Sequence, residues 1–239
     1  MLTLNANAIS EQREGAGSDI LRLLYMASPA RPVGGFAWSQ GLGQACAARL
    51  VTDAASLRDW LRAILHYGLG RLDLPLLLRS LRAAAGGRAE HLLHWDRLSL
   101  AGRESAELWM EERETGRALT RLLSSQRLWP GWLPPEVQLG YVAAFALLAS
   151  GLKFHSQDYR LVASAFTWNW LENQVSVAAK CLPLGQSALQ SLLLELMDEV
   201  AWAVEAAAGL DDGDIGASLP GQAVMSARHE RQHSRMFRS

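Results

Sequence analysis

Apolar positions along this chain recur mostly at helical spacing. Leu57, Trp60, Leu61, Ile64 and Leu65 fall at i, i+3, i+4, i+7 and i+8, which stacks them on one face of an α-helix. Asp53 or Ser56 can cap its start, and Gly68 and Gly70 suit its end. Leu189, Leu192, Leu193, Leu196, Met197, Val200 and Val204 form a second stripe of the same kind. Prolines at 29, 32, 75, 130, 134, 135, 183 and 220 punctuate the chain, and the intervals 76–129, 136–182 and 184–219 hold none. Gly86-Gly87 divides the first interval, and Gly151 with Ser156-Gln157-Asp158 divides the second. The pattern predicts helices over 19–27, 37–49, 56–68, 74–85, 88–101, 103–125, 136–151, 158–180 and 187–208. No stretch alternates apolar and polar residues between turn signals, so strands are not expected. The fold class that follows is all-α, a single-domain helical bundle of about eight to ten helices. Residues 1–18, polar and carrying Gly15 and Gly17, read as a flexible N-terminal arm; 19–225 read as the helical domain and 226–239 as a basic C-terminal tail.

Composition narrows the function more than the fold. The chain has 239 residues with 23 Lys+Arg against 24 Asp+Glu, so it lacks the cationic excess expected of a nucleic-acid binder. Two cysteines, Cys46 and Cys181, cannot build a disulfide framework and read as small core residues. The uncharged run 137–152 is shorter than the roughly 20 apolar residues that span a bilayer, and Met1 to Glu14 lack a secretory pattern. A cytoplasmic protein without a membrane association is the expectation. Charge is distributed unevenly, however. From Cys181 to Ala227 there is no Lys or Arg, and Glu195, Asp198, Glu199, Glu205, Asp211, Asp212 and Asp214 are all acidic. Residues 228–239 then supply Arg228, Arg231, Arg235 and Arg238 against the single acid Glu230. That polarity suits a basic tail, anchored by Phe237, that docks on a partner. The alternative is a tail that packs back on the chain's own acidic helix.

Motifs with catalytic precedent fail on context. His229-Glu230-Arg231-Gln232-His233 fits the H-E-x-x-H zinc-hydrolase pattern, which needs two imidazoles one turn apart on a buried apolar helix. Its neighbours are polar, and the six residues after His233 offer no carboxylate, histidine or cysteine side chain. A small zinc-dependent hydrolase using His229, Glu230 and His233 is therefore only the alternative reading. Ala37-Trp38-Ser39-Gln40-Gly41 resembles a nucleophile elbow, but a turn rather than a strand precedes Ser39. Gly41-Leu42-Gly43-Gln44-Ala45-Cys46 lacks the third glycine of a dinucleotide loop, and neither Lys153 nor Lys180 sits in a phosphate loop. His91 and His94 share a helix face without further ligands nearby. No catalytic residue, cofactor or resident metal is assigned.

The segments left over line up with one family. Ser28-Pro29-Ala30-Arg31-Pro32-Val33-Gly34-Gly35-Phe36-Ala37-Trp38-Ser39-Gln40-Gly41-Leu42 resembles the S-P-x-x-P-x-G-G-[FY]-x-[YW]-S-x-G-L opening of the urease accessory protein UreF family. Asp73-Leu74-Pro75, the stretch Glu111 to Leu123, Trp170-Leu171-Glu172-Asn173-Gln174 and Lys180-Cys181-Leu182-Pro183-Leu184-Gly185-Gln186 resemble further signatures of that family, in the same order. Residues 226–239 resemble its S-x-R-H-E-x-Q-Y-S-R-L-F-R-S ending. Gly43 stands where the family usually has glutamate, and His233 where it usually has tyrosine.

The resemblance implies a non-catalytic, all-helical homodimeric chaperone. It implies binding to a UreD/UreH-like accessory protein and a UreG-like GTPase, gating nickel insertion into apo-urease. Carried onto the matching positions, it makes Arg228, His229, Glu230, Ser234, Arg235, Phe237 and Arg238 the partner-binding residues. Phe237 would be the buried anchor, and the arginines would give directional, charge-assisted hydrogen bonds.

Overall fold

The computed structural model describes residues 6–233 and 235–238. Among the described residues there are eleven α-helices and no strand, arranged around one continuous hydrophobic core that takes residues from Met26 to Phe237. The helices are α1 (Ala6–Ala27), α2 (Leu42–Ala47), α3 (Ala54–Ala63), α4 (Asp73–Ala85), α5 (Ala89–Ala101), α6 (Ala106–Ser125), α7 (Tyr141–Gly151), α8 (Tyr159–Cys181), α9 (Gln186–Glu195), α10 (Met197–Ala208) and α11 (Pro220–His229). None is long and apolar enough to cross a membrane.

The centre of the bundle is α7, whose residues from Val142 to Ala149 are all buried. Its small alanines let α4 and α6 pack closely on either side, with α5 beside α4. From α4 come Leu74, Leu76, Leu77 and Leu81, each without solvent exposure and each contributing about 1.5–3 kcal/mol through apolar burial. On the other flank α8 packs against α1, α2, α9 and α10. Gly116 of α6 meets the chain entering α7 so tightly that a Cβ there would lie 2.3 Å from the Leu139 carbonyl oxygen.

Several elements depart from the periodic pattern. The arm read over residues 1–18 overlaps α1, which already begins at Ala6, so glycines 15 and 17 lie within a helix. The helix predicted over 37–49 shortens to α2, because Gln40 and Gly41 take left-handed backbone angles (φ 52° and 85°). The Asp53–Ser56 pair forms a reciprocal capping box at the start of α3 as its spacing suggests. Past Ile64, however, the helix widens into a π-helical segment, Ile64–Leu69. The stripe over 187–208 breaks at Leu196 into α9 and α10. Residues 220–229, read as approach and tail, form α11, with Pro220 in its first turn.

Candidate functional site

Two arrangements draw the distant signature segments together, and they adjoin one another. The first is a surface built by the tail on the opening turn. Helix α11 lies against α2 and α6. The contact is backbone-close: a Cβ on Gly41 would lie 3.0 Å from the Gln222 carbonyl oxygen and 3.1 Å from the Ser226 amide nitrogen. Glycine is needed there twice, for its left-handed angle and for that approach. Ser226 is buried, with its Oγ 2.8 Å from Oγ of Ser105, the residue that caps α6 through the Leu108 amide.

His229 follows, only 1% exposed, with Nδ1 3.1 Å from both carboxylate oxygens of Glu107. Burial raises the Glu107 carboxyl pKa, and its hydrogen bond to His229 opposes that rise. Arg235 approaches the same carboxylate at 3.6 Å. Glu230 caps α11, and its carbonyl accepts from Arg235. Phe237, 7% exposed, lays its ring over Gly43 of α2, where an added Cβ would be 3.2 Å from both Phe237 Cδ2 and Ser39 Oγ. The Lys180 ammonium sits 5.4 Å from the centre of that ring. The Arg238 amide donates to the Ala37 carbonyl at 2.7 Å, and its guanidinium lies 5.9 Å from the Trp38 ring.

The residues assigned from the tail therefore divide. His229 and Phe237 face inward and hold the segment in place. Arg228, Arg235 and Arg238 are exposed and Glu230 is half-exposed, while Ser234 lies outside the described residues. Among the described residues, no ion pair joins the tail to the acids of residues 195–214. Glu195, Glu199, Glu205 and Asp212 pair instead with Arg58 (2.8 Å), Arg62 (2.9 Å), Arg160 (2.5 Å) and Arg79 (2.9 Å). The zinc-hydrolase geometry also fails to form. The helix stops at His229, whose ring is committed to Glu107, and His233 lies exposed beyond the turn.

The second arrangement is a largely apolar cavity of about 110 Å³ beneath this surface, whose lining includes a cluster of charged side chains. Gln40 of the opening turn donates through Nε2 to Glu111 Oε1 (3.0 Å) and accepts through Oε1 from the Trp170 indole (2.7 Å). Arg103 reaches Asp73 at 2.6 Å and Glu112 at 2.9 Å. Glu112 also accepts from the Val142 amide at 3.0 Å, and Asp96 accepts from the Gly140 amide at 2.8 Å. Two carboxyl groups thus bind the guanidinium directly, Glu111 lies within reach of its charge, and Asp96 stands behind Glu112. Burial pushes Glu111 up to about 8, with Glu112 and Asp73 adding to the rise. Burial likewise pushes Asp96 up to about 7. A protonated Glu111 donates as well as accepts, so this cluster can hold or release a proton near neutral pH. The sequence marked Asp73, Glu111 and Trp170 only as pieces of signatures. Their convergence, and the part played by Arg103, had no periodic signal.

Comparison with known proteins identifies the family. A family model described as UreF matches residues 51–197. The chain is 46% identical over 217 residues to a urease accessory protein UreF from Chromohalobacter salexigens, covering 91% of this chain and 93% of that one. It is 40% identical over 234 residues to the protein of that name from Pseudoalteromonas translucida, covering 96% and 98% respectively. A third, from Psychrobacter cryohalolentis, is 42% identical over 226 residues, covering 92% of this chain and 94% of its own. With the tail closed over the opening turn and the signatures gathered around one cavity, the chain belongs to the UreF family of urease accessory proteins.

Proposed function

We propose that this chain is a non-catalytic scaffold in urease maturation. It docks a UreD/UreH-like accessory protein through the surface made by the tail and the opening turn. It joins that partner to a UreG-like GTPase and so gates delivery of nickel, the cargo, to cytoplasmic apo-urease. The observation that carries the reading is the union of residues 28–43 with residues 226–233 and 235–238 on one face, through the Arg238–Ala37 hydrogen bond and the Phe237 ring over Gly43. Arg228, Arg235 and Arg238 line that face, so the fitting partner surface is acidic and takes charge-assisted hydrogen bonds. His229 and Phe237 act from within by fixing the segment that carries the arginines. The homodimer belongs to the same reading, supported by exposed Ile20, Leu21 and Leu24 on α1.

A deletion from residue 226 onward would also remove the buried Ser226 and His229 contacts, so a finer cut is the better test. The double change Arg235→Ala with Arg238→Ala is expected to leave helix content intact. It should weaken capture of the UreD/UreH-like partner by roughly tenfold or more, as loss of charged interface hydrogen bonds does. Normal capture and normal urease activation by this variant would remove the assignment.

A further inference from the structure

The chain carries two cysteines, 135 positions apart in sequence, and the fold brings them together. Cys46 lies in α2 and Cys181 is the last residue of α8, two helices that pack directly on one another. The two thiol groups lie close enough for each to act on the other's proton, and both side chains are half-buried rather than sealed in the core. Their position is specific. Gly43, one turn before Cys46, forms the floor under Phe237, and Lys180, adjacent to Cys181, holds its ammonium over the same ring.

We infer that Cys46 and Cys181 are a redox modification site, forming a reversible disulfide that fastens α2 to α8 beneath the seat of Phe237. The oxidant is a hydroperoxide, with hydrogen peroxide the simplest. Cys181 attacks as the thiolate: an S–O bond forms, the O–O bond breaks, and hydroxide leaves. The Cys46 thiol then attacks the sulfenic sulfur, the S–S bond forms, and water departs. Two electrons pass from the sulfurs to the peroxide. A small dithiol returns both thiols by exchange.

The roles of the two sulfurs follow from their surroundings. The neighbouring Cys46 thiol holds the Cys181 thiol below the usual range, and the Lys180 charge adds to this. Cys181 in turn, with burial, pushes Cys46 up, which keeps it protonated and suited to the resolving step.

The test uses the full chain treated with hydrogen peroxide and then alkylated. Both thiols are expected to disappear together in a monomeric product, with the peptides containing residues 46 and 181 linked, and dithiothreitol is expected to restore both. In Cys46→Ser, Cys181 should accumulate as a dimedone-reactive sulfenic acid. Cys181→Ser should consume peroxide about tenfold more slowly or less, because the attacking rate follows the thiolate fraction. Oxidation should also slow tryptic cleavage within 228–238. Thiols that survive excess peroxide, links formed only between molecules, or equal reactivity of the two serine variants would overturn the site. Unchanged cleavage of the tail would overturn its link to the Phe237 seat. If a serine variant misfolds, the linked peptide and its reduction in the wild-type chain still decide.

Discussion

Replacing Glu111 with glutamine probes the buried carboxyl cluster of the cavity with little change of shape. Glutamine keeps the carbonyl that accepts from Gln40 and cannot ionise. In the folded chain burial raises Glu111 from 4.5 to about 8, so it stays protonated at a pH where the unfolded chain has released that proton. A proton held only by the folded state stabilises folding fully below about pH 4.5, and that contribution fades as pH rises through about 8. Between about pH 6 and about pH 8 the loss from Glu111 comes to about 2 kcal/mol, and Asp96, raised to about 7, adds about 1 kcal/mol. For a chain of this size the Glu111 share corresponds to a fall of about 4–8 °C in Tm. Thermal and urea unfolding followed by circular dichroism at the two pH values would measure it. Wild type should lose stability toward alkaline pH, and Glu111→Gln should lose only the Asp96 share. A variant with the full wild-type slope, or a wild type that gains stability from pH 6 to 8, would refute the reasoning.

Two further substitutions test the close approaches. Gly116→Ala would place a Cβ 2.3 Å from the Leu139 carbonyl oxygen and 2.4 Å from the Gly140 carbonyl carbon, both backbone atoms, so it should destabilise by about 3 kcal/mol or more in urea titration. Gly43→Glu should displace the Phe237 ring and speed tryptic cleavage within 228–238, since the new Cβ would sit 3.2 Å from that ring.

The helical bundle was readable because apolar spacing records which face a segment buries. Leu57, Leu61, Ile64 and Leu65 all lie in the core as their spacing implies. Where two backbone states bury the same side chains, the pattern is silent. The π-helical turn at Ile64–Leu69 and the break at Leu196 keep their leucines inside, so the apolar spacing gives neither of them away. The alternative target of the tail was hidden in another way. Charge alone let its arginines pack on the acids of residues 195–214, yet arginines from α3, α4 and α8 occupy four of those acids. Which of several available cations pairs with an acid depends on packing, and packing is a long-range property. The Asp73–Arg103–Glu112 cluster was hidden for the same reason, its members being spread along the chain and joined only by the fold.

The tail's position has a consequence for the order in which the molecule is made. Ala37 and Gly43 leave the ribosome early, but Phe237 and Arg238, which complete their surface, emerge almost two hundred residues later. Until then the bundle can condense while this face stays unfinished. A chain interrupted anywhere before those residues would present helices but no assembled face, so the closing contact reports that synthesis has run through to that point.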